Sequence, residues 1–285
     1  MLLLKNNKFI ERDDATVDVE DRGYQFGDGV YEVIRIYNNN YFLLDEHLDR
    51  LQYSLNEVKI DYDIQKNRLK EQLIKLKDEN RVTNGGVYVQ ISRGVAARGH
   101  AFPEQSEPSI VAYPITVSSP KELQQNGAKA ILTKDIRWLR CDIKSLNLLG
   151  NVLAKQEAKD KDAFEAIQYR DETHVTEGSS TNVFVVKNGR LNTHPSNNYI
   201  LNGITKRYLR YVAEKLSIPY EETVFSVDTL LNADEVFITS TTSEVVPIIQ
   251  IDEHIIQNGK PGPITKQLLN AFPKYINLER LPEHI

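Results

Sequence analysis

The feature that most constrains the fold is an alternation of strand-like and helical segments in the second half of the sequence. Short runs rich in β-branched and aromatic residues are separated by segments whose apolar residues recur at helical spacing. The predicted strands are residues 128–133, 166–169, 182–186, 235–238 and 245–251. The predicted helices are residues 151–159, 205–216, 227–231 and 264–272. Because helices that alternate with strands pack on the faces of a shared sheet, we expect an α/β domain here.

The first 116 residues predict a smaller α+β domain. Residues 30–44 are typical of a β-hairpin with three asparagines at its turn, because asparagine tolerates a positive φ angle. The other predicted elements are a helix at 46–58 with Asp45 as its N-cap, a helix at 63–78, and strands at 87–92 and 109–113.

Residues 117–126 are polar and contain Pro120, which predicts a linker between the two domains. The chain has 285 residues, and domains commonly have roughly 100–200, so its length suits two ordinary domains. The predicted fold class is α/β overall, with a small α+β domain at 1–116 and a large α/β domain at 127–285.

Composition excludes several classes of protein. The 40 acidic and 35 basic side chains give a net charge of −5, so we expect no nucleic-acid or anionic membrane partner. No stretch approaches the roughly 20 apolar residues of a membrane span, and three leucines are too few for a signal-peptide core. Cys141 is the single cysteine, which excludes an internal disulfide and a cysteine-based zinc site. We therefore expect a cytoplasmic protein.

Lys144 is the first candidate for chemistry, because it lies in a run that is otherwise largely apolar. Burial lowers the pKa of a lysine amine and makes it nucleophilic, as Schiff-base chemistry requires. On this segment alone, a lysine that extends from a strand end to water is the better interpretation.

Further candidates are a carboxylate and two groups of phosphate-binding type. Glu177 precedes Gly-Ser-Ser-Thr-Asn and could keep a pyridine nitrogen protonated, although on this segment alone an incidental glutamate in a turn is the better interpretation. Gly203 leads into a predicted helix, whose first N–H groups would suit a phosphate. Residues 239–243 are five consecutive hydroxyl residues, which could bind phosphate or simply form a turn.

Basic and aromatic residues in the first domain suggest an anion site. Arg98 and His100 flank one glycine in a loop and could bind a carboxylate with charge-assisted hydrogen bonds. Arg50 lies on a predicted helix, where a weak surface ion pair is its ordinary role. The glycine-rich segment 21–32 runs into a strand, so it is a bend that directs Tyr31, and it does not fit a dinucleotide site.

The order of these motifs resembles the fold-type IV family of pyridoxal-phosphate enzymes. That family contains the branched-chain aminotransferases, the D-amino acid aminotransferases and the aminodeoxychorismate lyases. The resemblance extends over about residues 2–280 and is carried by Tyr31, Arg50, Lys144, Glu177, the segment after Gly203 and residues 239–243. The Arg98-Gly-His100 segment is similar to the D-amino acid aminotransferases within the family.

The resemblance implies a role for each matching residue. Lys144 is the implied catalytic lysine, which binds pyridoxal 5'-phosphate and moves a proton at the substrate Cα. The implied cofactor-binding residues are Lys144, Arg50, Glu177, Leu201, Ile204, Thr205 and Thr241. Glu177 would pair with the pyridine nitrogen and Arg50 with the phosphate. The implied substrate-binding residues are Tyr31, Arg98 and His100, and no metal is implied. Lys206 stands where the family pattern has an arginine.

The resemblance also implies the assembly and the reaction. The cofactor would lie between two domains, and a homodimer would place Arg98 and His100 in the active site of the partner subunit. The implied reaction is transfer of the amino group of a D-alanine-like amino acid to a 2-oxo acid such as 2-oxoglutarate. The alternatives are a branched-chain L-amino acid aminotransferase, an aminodeoxychorismate lyase, and a catalytically silent binding homologue.

Overall fold

The computed structural model describes all 285 residues, and the chain divides into two compact units. The first unit comprises Met1–Val117, Ile143–Asn147 and Leu278–Arg280. The second comprises Ser118–Asp142, Leu148–Asn277 and Leu281–Ile285. The short segment Ile143–Asn147, which contains Lys144, therefore belongs to the first unit, although both of its flanks belong to the second.

A six-stranded antiparallel sheet forms the centre of the first unit, in the order β2-β1-β6-β5-β3-β4. Its strands are β1 (Leu2–Lys5), β2 (Lys8–Glu11), β3 (Gly29–Tyr37), β4 (Asn40–Tyr41), β5 (Gly85–Ser92) and β6 (Ser109–Ile115). Its helices are α1 (Arg22–Phe26), α2 (Leu44–Glu57) and α3 (Leu69–Glu79). Leu48, Leu51 and Leu55 place the apolar face of α2 in the core, as their helical spacing predicts.

The boundaries of two predicted helices in this unit are wrong. Helix α2 begins at Leu44 after Leu43, which has a φ of 50°, so Asp45 lies in the first turn and is not the N-cap. Helix α3 begins only at Leu69. The Asp63 carboxylate accepts hydrogen bonds from the N–H groups of Gln65 and Lys66, which favours a turn where the apolar pattern predicts helix.

A nine-stranded mixed sheet forms the centre of the second unit, in the order β12-β11-β10-β13-β14-β7-β8-β9, with β15 paired to β14. Its strands are β7 (Ala128–Lys134), β8 (Glu165–Asp171), β9 (His174–Gly178), β10 (Asn182–Lys187), β11 (Arg190–Thr193), β12 (Tyr220–Glu222), β13 (Glu235–Ser240), β14 (Glu244–Ile251) and β15 (His254–Ile255). Parallel pairs join β11 to β12, β14 to β7 and β7 to β8. The other neighbouring pairs are antiparallel.

Five helices accompany this sheet: α4 (Lys121–Asn126), α5 (Leu149–Asp160), α6 (Ile204–Lys215), α7 (Val227–Leu231) and α8 (Pro263–Ala271). Helix α4 occupies the second half of the segment that the sequence predicts as a polar linker. None of the helices combines the length and the apolar character that crossing a membrane requires.

Glu235 caps helix α8 from a neighbouring strand. Its buried carboxylate accepts hydrogen bonds from the N–H groups of Ile264 at 2.9 Å and Thr265 at 2.8 Å, and from the Thr265 hydroxyl at 2.6 Å. The first turn of α8 has no acidic residue of its own. Glu235 thus supplies the negative charge that the N-terminus of a helix favours.

We predict that Glu235→Ala destabilises the protein by about 2 kcal/mol, because it leaves buried donors at the start of α8 without an acceptor. The expected fall in the thermal midpoint is about 4–8 °C. Differential scanning calorimetry measures it, with Glu253→Ala in an exposed turn as the control. An unchanged midpoint for Glu235→Ala would contradict this role.

Candidate active site

Lys144 is held against the start of strand β3. The Tyr31 N–H donates to the Lys144 carbonyl at 3.0 Å, and the Leu146 N–H donates to the Gly29 carbonyl at 2.9 Å. The Lys144 N–H donates to the Ser54 hydroxyl of helix α2 at 3.2 Å. These bonds fix the backbone on both sides of the lysine, so the direction of its side chain is set by the first unit.

The Lys144 side chain is half-buried and lies over an aromatic ring. Its Nζ is 4.2 Å from the centre of the Tyr31 ring. Tyr31 in turn stacks on Tyr88 with ring centres 5.7 Å apart. No carboxylate of the first unit forms an ion pair with this amine. A ring face attracts a cation weakly compared with a carboxylate, so the amine stays available for reaction.

Arg50, the predicted phosphate ligand, is fixed by a fully buried carboxylate on β3. Its Nε and Nη2 donate to the two Glu32 oxygens at 2.6 and 2.8 Å. His47 Nδ1 lies 2.8 Å from Glu32 Oε2. Arg50 and His47 hold the pKa of the Glu32 carboxyl well below its usual range, although burial opposes them. Glu32 is therefore ionised and fixes the guanidinium of Arg50.

Arg98 and His100 lie exposed in the loop that follows β5. The Arg98 guanidinium carbon is 4.5 Å from the centre of the Phe26 ring, and the His100 ring centre is 5.8 Å from it. The first unit thus brings these two predicted carboxylate ligands to the same side chain. It separately brings Lys144 to Tyr31, which is the third predicted ligand of the substrate.

Glu177 lies at the end of β9 in the second unit, with its side chain 7% exposed. Arg137 donates to Glu177 Oε1 at 2.5 Å. The N–H of Leu201 and the side-chain amide of Asn182 donate to Oε2 at 3.0 and 3.2 Å. Burial raises the pKa of the Glu177 carboxyl, and the Arg137 guanidinium opposes that shift. The carboxylate is thereby held in one orientation by donors on both of its oxygens.

Arg137 is itself fixed by a second carboxylate. Its Nη2 donates to Asp135 Oδ2 at 2.8 Å and its Nε donates to Oδ1 at 2.9 Å. Arg170 Nε pairs with Asp135 at 3.2 Å, and the Thr176 hydroxyl donates to it at 2.9 Å. These donors hold the pKa of the Asp135 carboxyl below its usual value despite burial. Arg170, Asp135 and Arg137 therefore form a chain of alternating charges that ends at Glu177.

The turn that follows Glu177 depends on another buried carboxylate, Glu165. It accepts hydrogen bonds from the Ser179 N–H at 3.2 Å, from the Ser179 hydroxyl, and from the Thr181 hydroxyl at 2.9 Å. A Cβ on Gly178 would lie 2.0 Å from the Thr181 hydroxyl. Gly178, Ser179 and Thr181 are therefore required by the turn that positions Glu177.

The start of helix α6 lies directly beside the Glu177 cluster. Gly203 is the N-cap residue and provides no capping side chain. A Cβ at position 203 would lie 2.0 Å from Asn182 Oδ1, while the Asn182 amide donates to the Leu201 carbonyl at 2.9 Å. Ile204 and Thr205 are buried and begin the helix, where N–H groups suit an anion.

Leu201 and Thr241 are placed by the same region of the second unit. Leu201 is half-buried and its N–H contacts Glu177. Asn182 pairs with Thr239 across β10 and β13, and Thr241 follows in the turn after β13. Carboxylate, apolar residue, helix N-terminus and hydroxyl are the groups that a protonated pyridine ring with a phosphate requires, so the donor set of this unit fits pyridoxal phosphate.

Four residues around the site are not predicted from the sequence. Glu32, His47, Arg137 and Asn182 all contact predicted site residues or their partners. The available signal for Glu32 is a charged residue inside a largely apolar strand, which requires a buried partner. Arg137 and Asn182 have no such signal, because their contacts depend on residues 40 and 5 positions away.

Comparisons with known proteins agree with this geometry. Residues 29–251 match the family model described as amino-transferase class IV. The chain is 50% identical over 272 residues to a D-alanine aminotransferase of Staphylococcus aureus, covering 95% of this chain and 96% of the relative. It is 50% identical over 276 residues to a D-alanine aminotransferase of Bacillus licheniformis, covering 97% of both chains.

Solved structures show the same fold. The branched-chain amino acid aminotransferase of Escherichia coli superposes with a TM-score of 0.89 at 25% identity, covering 99% of this chain and 96% of that one. The pyridoxal-phosphate form of the branched-chain amino acid aminotransferase of Thermobaculum terrenum gives a TM-score of 0.87 at 27% identity, covering 98% and 94%. The chain belongs to the class IV aminotransferases, with the fold-type IV architecture of the branched-chain aminotransferase structures.

Proposed function

We propose that this protein is a D-amino acid transaminase that transfers the amino group of D-alanine or a similar D-amino acid to a 2-oxo acid. The observation that carries the proposal is the 50% identity to D-alanine aminotransferases over 95% of the chain. The two branched-chain aminotransferases, although similar in fold, are only 25% and 27% identical. Fold alone does not determine function, so the closer sequence match decides between the two.

The enzyme depends on pyridoxal 5'-phosphate, whose protonated ring withdraws electrons from the substrate Cα when it is bound. Lys144 is the proposed covalent anchor and the group that moves the proton at that carbon. The support for this role is the half-buried amine over Tyr31 on a backbone fixed by β3 and α2. A lysine amine that is not held in an ion pair can bind the cofactor covalently and move a proton at the substrate carbon.

Glu177 is the proposed partner of the pyridine nitrogen. Arg137, Asn182 and the Leu201 N–H fix its oxygens, so little reorganisation is needed when the ring binds. The proposed phosphate ligands are Arg50, Ile204, Thr205 and Thr241, and Leu201 is proposed to pack on the ring. This assignment surrounds the phosphate, which is the dianionic group of the cofactor, with the Arg50 cation, N–H groups and hydroxyls.

Tyr31, Arg98 and His100 are the proposed ligands of the substrate α-carboxylate. A fixed clamp orients the Cα–H bond relative to the ring, which selects the bond that breaks. We further propose a cytoplasmic homodimer in which Arg98 and His100 serve the active site of the partner subunit. The proposed 2-oxo acid acceptor is 2-oxoglutarate.

An exposed apolar face on the second unit supports the homodimer. Leu149, Val152 and Leu153 of helix α5 are 71%, 57% and 53% exposed. Ile136 and Leu139 are 68% and 60% exposed. The loop that carries them lies beside α5, because the Cα of Arg137 is 3.6 Å from the Cβ position of Gly150. Exposed apolar side chains grouped in this way favour an interaction surface.

We predict that the enzyme with pyridoxal phosphate forms pyruvate from D-alanine in the presence of 2-oxoglutarate. L-alanine should react at least about 100-fold more slowly, because one clamp cannot orient the Cα–H bond of both enantiomers toward the same lysine. A coupled lactate dehydrogenase assay measures this. Lys144→Ala serves as the inactive control and Lys66→Ala, an exposed lysine, as the active one.

Each alternative function has a distinguishing outcome, in this assay or in a related one. Turnover of the L-isomer alone would reject the proposal in favour of a branched-chain type of specificity. Pyruvate formed from aminodeoxychorismate without an amino acceptor would identify a lyase. Purified protein that acquires no yellow colour with pyridoxal phosphate would identify a silent homologue.

Arg98→Met should raise the KM for D-alanine by about 10- to 100-fold, because it removes one charge-assisted hydrogen bond to the carboxylate. The affinity for pyridoxal phosphate should stay within about twofold, since Arg98 is not a proposed ligand of the cofactor. Steady-state kinetics and fluorescence titration measure the two quantities. An unchanged KM would remove Arg98 from the proposed clamp.

A further inference from the structure

The glycine-rich segment 21–32 contains a buried cluster of charges that the proposed function does not use. Asp28 accepts hydrogen bonds from Arg22 Nε at 2.7 Å and from Arg93 Nε at 2.8 Å. Arg93 Nη2 also donates to Asp28 Oδ1 at 3.0 Å. The side chains of Arg22, Arg93 and Asp28 are 4%, 7% and 12% exposed. Two buried arginines that share one carboxylate need further acceptors, and the position of those acceptors is informative.

Arg22 finds its further acceptors in the loop that carries the proposed carboxylate ligands. Its Nη1 donates to the Gly99 carbonyl at 2.7 Å and its Nη2 to the His100 carbonyl at 3.4 Å. Gly99 lies between the two proposed ligands in the sequence, and His100 is the second of them. Arg22 therefore fixes the peptide from which Arg98 and His100 extend.

Arg93 anchors the base of the same loop to the body of the first unit. Its guanidinium donates to the carbonyls of Lys59 and Val58, both at 2.7 Å. The guanidinium carbon of Arg93 lies 3.6 Å from the centre of the Phe102 ring. Gly94, the next residue, has a φ of 101°, and a Cβ there would lie 1.9 Å from the Glu107 carbonyl oxygen. The two ends of the loop, just after β5 and just before β6, are therefore packed against each other.

Phe26 provides a surface for the side chains themselves. Its ring centre is 4.8 Å from the guanidinium carbon of Arg22 and 4.5 Å from that of Arg98. The His100 ring centre is 5.8 Å away. Gly27, in the left-handed conformation with a φ of 66°, ends helix α1 directly after Phe26. A ring close to two guanidinium groups is attracted to both, so Phe26 restricts the rotamers of Arg98.

We propose that Phe26, Arg22 and Asp28 are positioning residues that hold Arg98 and His100 in the geometry that binds the substrate α-carboxylate. This inference rests on the proposed function, which makes Arg98 and His100 the carboxylate ligands. The three positioning residues act through Arg98 and His100 and do not bind substrate. Their contribution is preorganisation, because an exposed arginine without a fixed rotamer loses conformational entropy when it binds an anion.

The test is a double-mutant cycle of Phe26 with Arg98 in the enzyme loaded with pyridoxal phosphate. Phe26→Leu should raise the KM for D-alanine and for 2-oxoglutarate by about 3- to 10-fold, because both substrates carry the same carboxylate. The kcat should stay within about twofold. In the Arg98→Met background, Phe26→Leu should raise KM by much less, because only its contact with His100 remains.

Three further variants separate positioning from general packing. Phe26→Tyr keeps the ring face and should restore the wild-type KM. Phe9→Leu should leave KM unchanged, although it removes a matched pair in which Lys75 lies 5.0 Å from the Phe9 ring centre. Phe9 lies on edge strand β2, four places from β3 in the sheet. Arg22→Lys, which keeps a charge for Asp28 but removes the two Nη donors to the Gly99 and His100 carbonyls, should raise KM in the same way.

The outcomes distinguish this inference from the proposed function. If Arg98→Met raises KM but Phe26→Leu and Arg22→Lys do not, the positioning role is wrong and the clamp remains. If Phe26→Leu raises KM equally with and without Arg98, the ring acts by another route and the inference is overturned. If Arg98→Met has no effect on KM, the proposed clamp itself fails.

Discussion

A buried carboxylate must be matched by donors, and this constraint organises most of the candidate site. Leaving such a group ionised without partners costs several kcal/mol, so each buried acid fixes the positions of the groups around it. Glu32 fixes Arg50, Asp28 fixes the two arginines at the Arg98 loop, and Glu165 fixes the turn after Glu177. Glu177 is the acid whose partners hold it beside the start of helix α6, where Leu201 contacts it.

The two units hold different kinds of functional groups. The first holds a lysine, an aromatic ring and cations that suit a substrate carboxylate. The second holds a fixed carboxylate and a helix N-terminus that suit a pyridine ring and a phosphate. A transaminase needs both sets, because the amine must act on a carbon made acidic by the ring. The 50% identity to D-alanine aminotransferases extends across both units.

The sequence predicts the parts of this protein that depend on local pattern. All of the predicted strands in residues 127–285 are present, because their apolar runs are buried in one sheet. Strands β9, β11, β12 and β15 are not predicted, since two to five residues that include polar or charged side chains give no clear alternation. Partners remote in sequence escape too: the contact of Arg22 with Gly99 spans 77 positions, and no spacing rule predicts it. The order of the motifs along the chain indicates the family, whereas no single motif does.

Every role assigned to these acids requires that Lys144 is the residue that binds pyridoxal phosphate. Borohydride reduction of the holoenzyme, followed by peptide mapping with mass spectrometry, tests this directly. We expect one phosphopyridoxyl group per chain, on the peptide that contains Lys144, and none in a sample of Lys144→Ala treated in the same way. A label on any other lysine of the wild-type chain, Lys206 included, would contradict the account.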